Sequence, residues 1–283
     1  MAAMDVALIH APVRHLQRVD GEARIAFGRR GLSDLYQRAP SRLLFPDGAH
    51  GSFPEAVSLL TSGGLTGGDR ARLEIRVENG ASATITTQAA ERFYRVSPGE
   101  ADIRMETRID LGAGASCEWL AQEAILFDRT RLRRTLEARL TASSRLLAVE
   151  CVVLGRSAMG EVFRGGLLHD SWRIRRDGRL VWADALHAEG DFRALANRPF
   201  GFGDARAFAT LLYAGADAAT HLELARELTP GATAGATSFD GLLILRFLDA
   251  DAAALRRSVV RAAGALRAAT LGLSETLPAV WHC

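Results

Sequence analysis

The sequence predicts a mainly β chain on three observations. Short stretches in which apolar and polar residues alternate with a period of two recur from Glu22 to about residue 190. Glycine turns separate them, among them Asn79-Gly80, Pro98-Gly99, Gly112-Ala113-Gly114 and Asp177-Gly178. Helical periodicity is confined to the last third of the chain. Such a succession implies a sandwich, a barrel or a solenoid-like β stack, and no fixed sequence period singles out a regular repeat.

In chain order, residues 1–20 carry His10, Arg14, His15 and Arg18 among a few apolar residues without a clear period, and read as a tail or peripheral segment. Ala23, Ile25 and Phe27 mark a first strand, and Gly31 follows it. Ala39-Pro40 holds the chain extended before Leu43-Leu44-Phe45-Pro46, Asp47-Gly48 turns it, and Val57 to Leu60 is a short strand. Alternation resumes at Leu73, Ile75 and Val77, then at Ala83 to Thr87, at Ile103 to Thr107, and at Ser116 to Leu120, where Cys117 and Trp119 share a face. Leu132, Leu136 and Leu140 fit a helix or a strand; the threonines and the flanking strands favour strand. Leu146 to Leu154 is strongly β, Gly155 breaks it, Gly165-Gly166 reads as a turn, and Asp177-Gly178 joins two runs as a hairpin. After a strand at Arg206 to Tyr213, Asp217 to Leu228 reads as a helix ended by Pro230-Gly231. Two strands around Asp240-Gly241 lead to a second helix, Ala252 to Leu271, stopped by Gly272. Its Leu255, Val259, Ala263 and Leu266 face inward, and Arg256, Arg257, Arg261 and Arg267 are expected to face solvent.

With 283 residues, 48% of them hydrophobic, the chain buries a substantial core as one all-β domain or two smaller ones. A net charge of +2 supplies no field that would draw it to nucleic acid or an anionic membrane. All 35 basic residues are arginine, which together with the abundant alanine points to a GC-rich coding bias. Cys117, Cys151 and Cys283 are odd in number and widely spaced, which argues for a reducing compartment. No signal peptide or membrane-length apolar run is present, so the expected location is cytoplasmic.

The densest local signal is Ser62-Gly63-Gly64-Leu65-Thr66-Gly67-Gly68-Asp69. A phosphate loop needs a lysine after its last glycine, or a glycine pattern opening a helix; here Asp69 follows, and the next segment alternates as a strand. The run therefore reads as a tight backbone corner between strands, closed by a carboxylate.

That run, followed by the strand Leu73 to Val77, then Thr86-Thr87 and Phe93-Tyr94-Arg95, resembles the signature of the urease accessory protein D family, also called UreH. Gly63, Gly64, Gly67, Gly68, Asp69, Thr86, Thr87, Tyr94 and Arg95 carry the match. Leu44-Phe45-Pro46, Trp119 with Gln122-Glu123, Glu150 with Gly155-Arg156, Gly160-Glu161, Leu277-Pro278 and Trp281 extend it over nearly the whole chain; Glu91, Ala121 and Ala279 depart from the pattern. The resemblance implies a single domain of many short strands in a helical, β-helix-like stack, with two α-helices near the C-terminus. It also implies a non-enzymatic role. The family joins the urease accessory proteins F and G and docks on the urease apoprotein, so that nickel reaches the active site, while GTP hydrolysis belongs to G. No cofactor is then expected to be bound tightly; Ni²⁺ is in transit.

A relayed divalent ion needs oxygen or nitrogen donors along a wet path, because tight multidentate ligation would trap it. The candidates are Asp69, Glu123, Glu150 and Glu161, each also readable as a salt-bridge or turn-capping residue. The histidines show no metal-ligand spacing; His282-Cys283 at the terminus reads as a tail, and Cys117 and Cys151 read as buried small hydrophobes. The rival expectation is a glycosidase-like hydrolase using Glu150 with Glu161, or Glu123 with Asp128, as acid and base. An aromatic content of 7% and the absence of a nucleophile motif weigh against an enzyme.

Overall fold

The structure, a computed structural model, describes residues 18–46, 53–156, 159–199, 201–231 and 233–282. Most of the expected peripheral segment, the Asp47-Gly48 turn and Cys283 lie outside the described residues.

The chain shuttles between two sheets. β1 (Asp20–Gly28) and β2 (Gly31–Arg38) open the first sheet, β3 (Ser41–Leu44) and β4 (Glu55–Leu60) the second. β5 (Arg70–Val77) returns to the first; β6 (Ser82–Thr87) and β7 (Glu91–Phe93) belong to the second. β8 (Ile103–Leu111), β9 (Ser116–Leu126), β10 (Arg131–Leu140) and β11 (Arg145–Arg156) continue the alternation, with β12 (Glu161–Val162) beside β11. β13 (Gly165–Arg176) and β14 (Arg179–Asp191) complete the first sheet; β15 (Ala207–Ala214), β16 (Ala234–Phe239) and β17 (Leu242–Asp249) complete the second.

Each return lays a strand parallel to the one before it, in the order β1, β5, β8, β10, β13 on one side and β4, β6, β9, β11 on the other. The result is the wound stack of strands that the resemblance implies. Successive coils differ in length, since the first-sheet strands begin at Arg70, Ile103, Arg131 and Gly165, which is why no fixed period is legible in the sequence. Antiparallel strands finish both ends: β2 and β14 in the first sheet, and β3 with the β15, β17 and β16 group in the second.

The ambiguous leucine run is strand β10, because its neighbours β8 and β13 pair it on both sides. Asp177 and Gly178 both take positive φ, 48° and 79°, as a two-residue hairpin between right-twisted strands requires. Gly165-Gly166 is not a turn but the start of β13. A Cβ on Gly166 would lie 2.0 Å from the Thr130 carbonyl oxygen, so the glycine admits a close strand-to-loop approach.

Besides the five-residue α1 (Phe192–Ala196), the expected helices are present as α2 (Leu222–Leu228), preceded by a 3₁₀ turn at Ala218–His221, and α3 (Ala252–Leu271). Asp251 caps α3 by accepting from the Ala253 amide, and Gly272 ends it at φ 68°. α3 lies on the outer face of the second sheet, where Leu255, Val259, Ala263 and Leu266 join Val149, Leu211 and Leu245 in one apolar cluster. Two further clusters fill the space between the sheets, one around Phe27, Trp119 and Trp172, the other around Phe93, Leu126 and Leu168.

The exposed arginine face expected on α3 is half correct. Arg257 and Arg261 face solvent or its border, but Arg267 is 5% exposed and Arg256 turns back onto the sheet. The two inward arginines each meet a glutamate on β9, Arg267 meeting Glu118 and Arg256 meeting Glu123.

Candidate functional site: a charged row between the sheets

The two interior clusters meet at a row of charge. On β10 the inward alternation runs Leu132, Arg134, Leu136; on β13 it runs Leu168, Asp170, Trp172; on β11 it runs Ala148, Glu150, Val152. The middle residue of each triplet is charged and lies at the boundary between the clusters. Arg134 and Asp170 are register partners, and the guanidinium donates to both carboxylate oxygens, Nε to Oδ1 at 3.0 Å and Nη2 to Oδ2 at 2.6 Å. Glu150 comes from the opposite sheet. Its Oε1 accepts from the Trp119 indole at 3.3 Å, and its Oε2 stands 3.4 Å from Arg134 Nε without a hydrogen bond.

Arg134, Glu150 and Asp170 are 4%, 3% and 7% exposed, so ionisation is governed by desolvation against pairing. Burial pushes the Glu150 carboxyl up to about 7; Arg134 opposes the rise and Asp170 adds to it. Burial weakens the charge on Arg134, but Asp170 and Glu150 outweigh it and hold the guanidinium firmly protonated.

Glu91 is a further acidic member. It pairs in register with Ala124 on β9, and Ala124 belongs to the interior cluster, so Glu91 also projects inward. Burial pushes its carboxyl up to about 7, with Arg134 opposing and Glu150 adding. Glu91 also lines a cavity of about 230 Å³ together with Ser58, Ser62, Gly64, Thr87 and Gln88. Glu91 thus sets a carboxyl at the cavity by the glycine corner, near enough to Arg134 and Glu150 to feel their charges.

The glycine corner is built as expected. Asp69, 3% exposed, accepts from the Thr66 amide and the Val19 amide, both at 2.8 Å, and so ties the corner to the chain's entry into β1. Gly64 has φ 147°, and a Cβ there would stand 2.6 Å from the Tyr94 ring and 2.7 Å from the Arg92 carbonyl oxygen. Gly67 is equally confined, with the Glu100 carboxylate 2.6 Å from its missing Cβ, while Gly68 takes φ 79°. The Tyr94 hydroxyl donates to the Gly63 carbonyl, and the Arg95 carbonyl accepts from the Thr66 hydroxyl.

Thr86, Thr87, Gln122 and Glu123 form a second assembly, closed by the C-terminus. Trp281 Nε1 donates to the Thr86 hydroxyl at 3.0 Å, and Gln122 Nε2 donates to the Thr87 and Val280 carbonyls. Arg256 donates to both oxygens of Glu123, at 2.7 and 2.8 Å, and to the Gln122 and Trp281 carbonyls, and its guanidinium lies over the Trp281 ring. These signature residues therefore fasten α3 and the chain end to the second sheet.

Of the four carboxylates singled out by sequence, Glu150 alone is in the charged row. Asp69 holds the glycine corner, Glu123 holds Arg256, and Glu161 accepts from Arg156 at 2.7 Å on the outer β11–β12 hairpin. Among the described residues no three His, Cys, Asp or Glu side chains form a group that could hold a metal ion. Glu91, Arg134 and Asp170 escaped the sequence reading, although a charge inside an apolar alternation marks both Arg134 and Asp170. Cys117 and Cys151 are buried, and burial raises both thiols out of the reactive range, as their strand positions suggested.

The pairs considered for acid–base hydrolysis are not assembled. Glu161 pairs with Arg156, so it sits six strand residues from Glu150, roughly 20 Å at 3.3 Å per residue, beyond the spacing either glycosidase mechanism uses. Asp128 is engaged by the Arg164 amide and side chain, while Glu123 is engaged by Arg256.

The UreD urease accessory protein family matches residues 19–282 of the chain. Urease accessory protein UreD of Rhizobium leguminosarum bv. trifolii strain WSM2304 is 43% identical over 270 residues, covering 94% of this chain and 96% of its own length. The UreD of Rhizobium leguminosarum bv. viciae is 42% identical with the same coverage, and that of Magnetococcus marinus is 39% identical over 276 residues, covering 94% of each chain.

Proposed function

The chain belongs to the UreD urease accessory protein family, and from that premise we propose that it acts on urease as a cytoplasmic scaffold through which Ni²⁺ passes toward the apoprotein. It is an accessory protein of urease maturation, not an enzyme. Its partners in this reading are the accessory proteins F and G and the urease apoprotein, with GTP hydrolysis carried out by G. Among the described residues no helix is long and apolar enough to cross a membrane.

The observation that supports conduction is the charged row. An apolar interior excludes a hydrated divalent ion, and a row of acid side chains lowers that barrier. Glu91 at the cavity, then Glu150 and Asp170 around Arg134, supply carboxylate oxygens from the glycine corner to the middle of the stack. Arg134 limits how tightly a cation is held there, which suits an ion that must leave again. Nickel is cargo in this scheme. Asp69, Glu123 and Glu161 support the route only through the folds they fasten.

The test is co-expression with F, G and the urease subunits under limiting nickel. Glu150→Gln and Glu91→Gln are expected to leave the purified complex intact and lower the nickel content of urease. Equal nickel loading with both variants would refute the route, whereas loss of the complex would assign the row to folding alone.

A further inference from the structure

The outer face of the first sheet is a lattice of charge. Across β1, β5, β8, β10 and β13 one register row runs Arg24, Glu74, Arg108, Glu137, Arg173, and the sign alternates at every step. The row before it runs Glu22, Arg72, Glu106 and ends on Thr135 and Ser171. The row beyond it runs Ala26, Arg76, Asp110, Arg139, Arg175; its one like-charged step is served by Glu137, which reaches both arginines, at 3.5 and 3.8 Å. Unlike charges opposed on neighbouring strands stabilise a sheet, and like charges directly opposed destabilise it.

The row nearest the glycine corner breaks this rule. It runs Asp20, Arg70, Arg104, Arg133, His169, so three arginines stand side by side on β5, β8 and β10. The acids around them are committed elsewhere. Asp20 holds Arg38 at 3.0 Å and Arg72 at 3.1 Å, and Asp102 holds Arg131 and Arg133, both at 2.7 Å. Glu106, two residues along β8 from Arg104, holds Arg108 at 3.5 Å. Among the described residues Arg70 and Arg104 have no ion-pair partner, and both are exposed. An outward strand position accepts either sign, so the repulsion in this row is not forced by the fold and is left unmatched within it.

We propose that Arg70, Arg104 and Arg133 form a docking row for an acidic helix of a partner protein. Neighbouring strands are about 4.8 Å apart, so the three arginine positions span roughly 10 Å. Acids one turn apart on a helix start from Cβ atoms about 5–6 Å apart, close to that repeat, and a helix laid across the strands sets one acid against each arginine. On an extended peptide the same-face side chains recur at roughly 6.6 Å and fall out of step by the third position. Asp102 already shares Arg133, which leaves Arg70 and Arg104 as the principal contacts. Asp20 and Asp102, set at the two ends of the row, disfavour a continuous phosphate backbone. The row lies on the outer sheet face and does not depend on the route proposed through the interior.

The probe is a fluorescein-labelled, alanine-based helical peptide with glutamates at i, i+4, i+7 and i+11, titrated by anisotropy into the purified full-length chain at low ionic strength. A peptide of the same composition, with its glutamates spread around the helix, is the control. The striped peptide is expected to bind more tightly than the control. Its affinity should fall about threefold in Arg70→Gln or Arg104→Gln and about tenfold in the double variant, and be about unchanged in Arg108→Gln, which removes the same charge from an alternating row. Arg104→Glu restores the alternation, so it should weaken binding about tenfold and raise the melting midpoint by about 1–3 °C. Equal binding of the two peptides, equal losses in Arg108→Gln and Arg104→Gln, or a lowered melting midpoint in Arg104→Glu would overturn the proposal. Tighter binding of a DNA duplex through the same two arginines would overturn it too, by assigning the row to nucleic acid.

Discussion

Arg267 and Glu118 are joined through the second sheet's outer layer. The guanidinium on α3 donates from Nε and Nη2 to both oxygens of a wholly buried carboxylate, at 2.8 and 2.9 Å, and Thr84 adds a hydroxyl donor to the same group. The Ser274 and Thr276 carbonyls take the remaining guanidinium nitrogen. A charge this deep is tolerated because the two ions meet through two hydrogen bonds and each has further polar partners, Thr84 for the carboxylate and the Ser274 and Thr276 carbonyls for the guanidinium.

Removing one partner is therefore expected to be worse than removing both. Arg267→Ala or Glu118→Ala should each destabilise the chain by about 3–5 kcal/mol in urea unfolding, because the other charge is left buried. A Glu118→Leu, Arg267→Met double variant should recover a large part of that loss. Additive losses would show that the pair is not coupled.

Truncating Trp281 tests the C-terminal fastening. Trp281→Ala removes the indole donor to Thr86 and the ring beneath Arg256, with an expected cost of about 3–5 kcal/mol. Limited proteolysis should then cut first in the segment after α3. A cleavage pattern identical to the parent's would contradict this.

Gly64→Ala places a methyl group against the Arg92 carbonyl and the Tyr94 ring at a φ that L-residues rarely adopt. The expected loss is about 1–3 kcal/mol. Adding Tyr94→Ala should relieve only part of it, since the Arg92 carbonyl remains, and thermal melting of the single and double variants separates the two contributions.

Glu91 gives a pH signature. Its folded carboxyl titrates at about 7 against 4.5 for the ordinary group. Below 4.5 both states hold the proton; between 4.5 and 7 the unfolded chain releases it first, so stability falls as pH rises and then levels off above about 7. Glu91→Gln should consequently be more stable than the parent by about 1–2 kcal/mol at pH 8 and nearly equal to it at pH 4.5. A gain that is the same at both pH values would rule out ionisation as the cause.

Much of the architecture is legible in the sequence because a strand's two faces differ at every step. Leu132, Leu136 and Leu140, or Ala23, Ile25 and Phe27, declare their buried side without reference to neighbours. The charged row is less legible. Arg134 and Glu150 come from opposite sheets, and no local pattern states which inward positions face each other. Arg256 and Arg267 show a similar limit on α3. They are eleven residues apart, close to three helical turns, so they share a stripe at the border of the apolar face. Whether such a stripe meets water or a glutamate depends on what β9 offers beneath it. The turn expected at Gly165-Gly166 failed for a related reason: glycine signals a need for space, and here the space admits the Thr130 carbonyl within a pairing strand.

The contact between Trp281 and Thr86 joins positions 195 residues apart. Coils of the stack pair with their immediate predecessors, so strands are able to assemble in the order in which they leave the ribosome. The seat on β6 and β9 differs, because it is filled by Trp281, which follows every strand of the stack along the chain. Thr86 and Gln122 thus stay uncovered until the segment after α3 has docked, and a chain whose stack has formed without that segment displays to the quality-control machinery a polar notch that the folded protein hides.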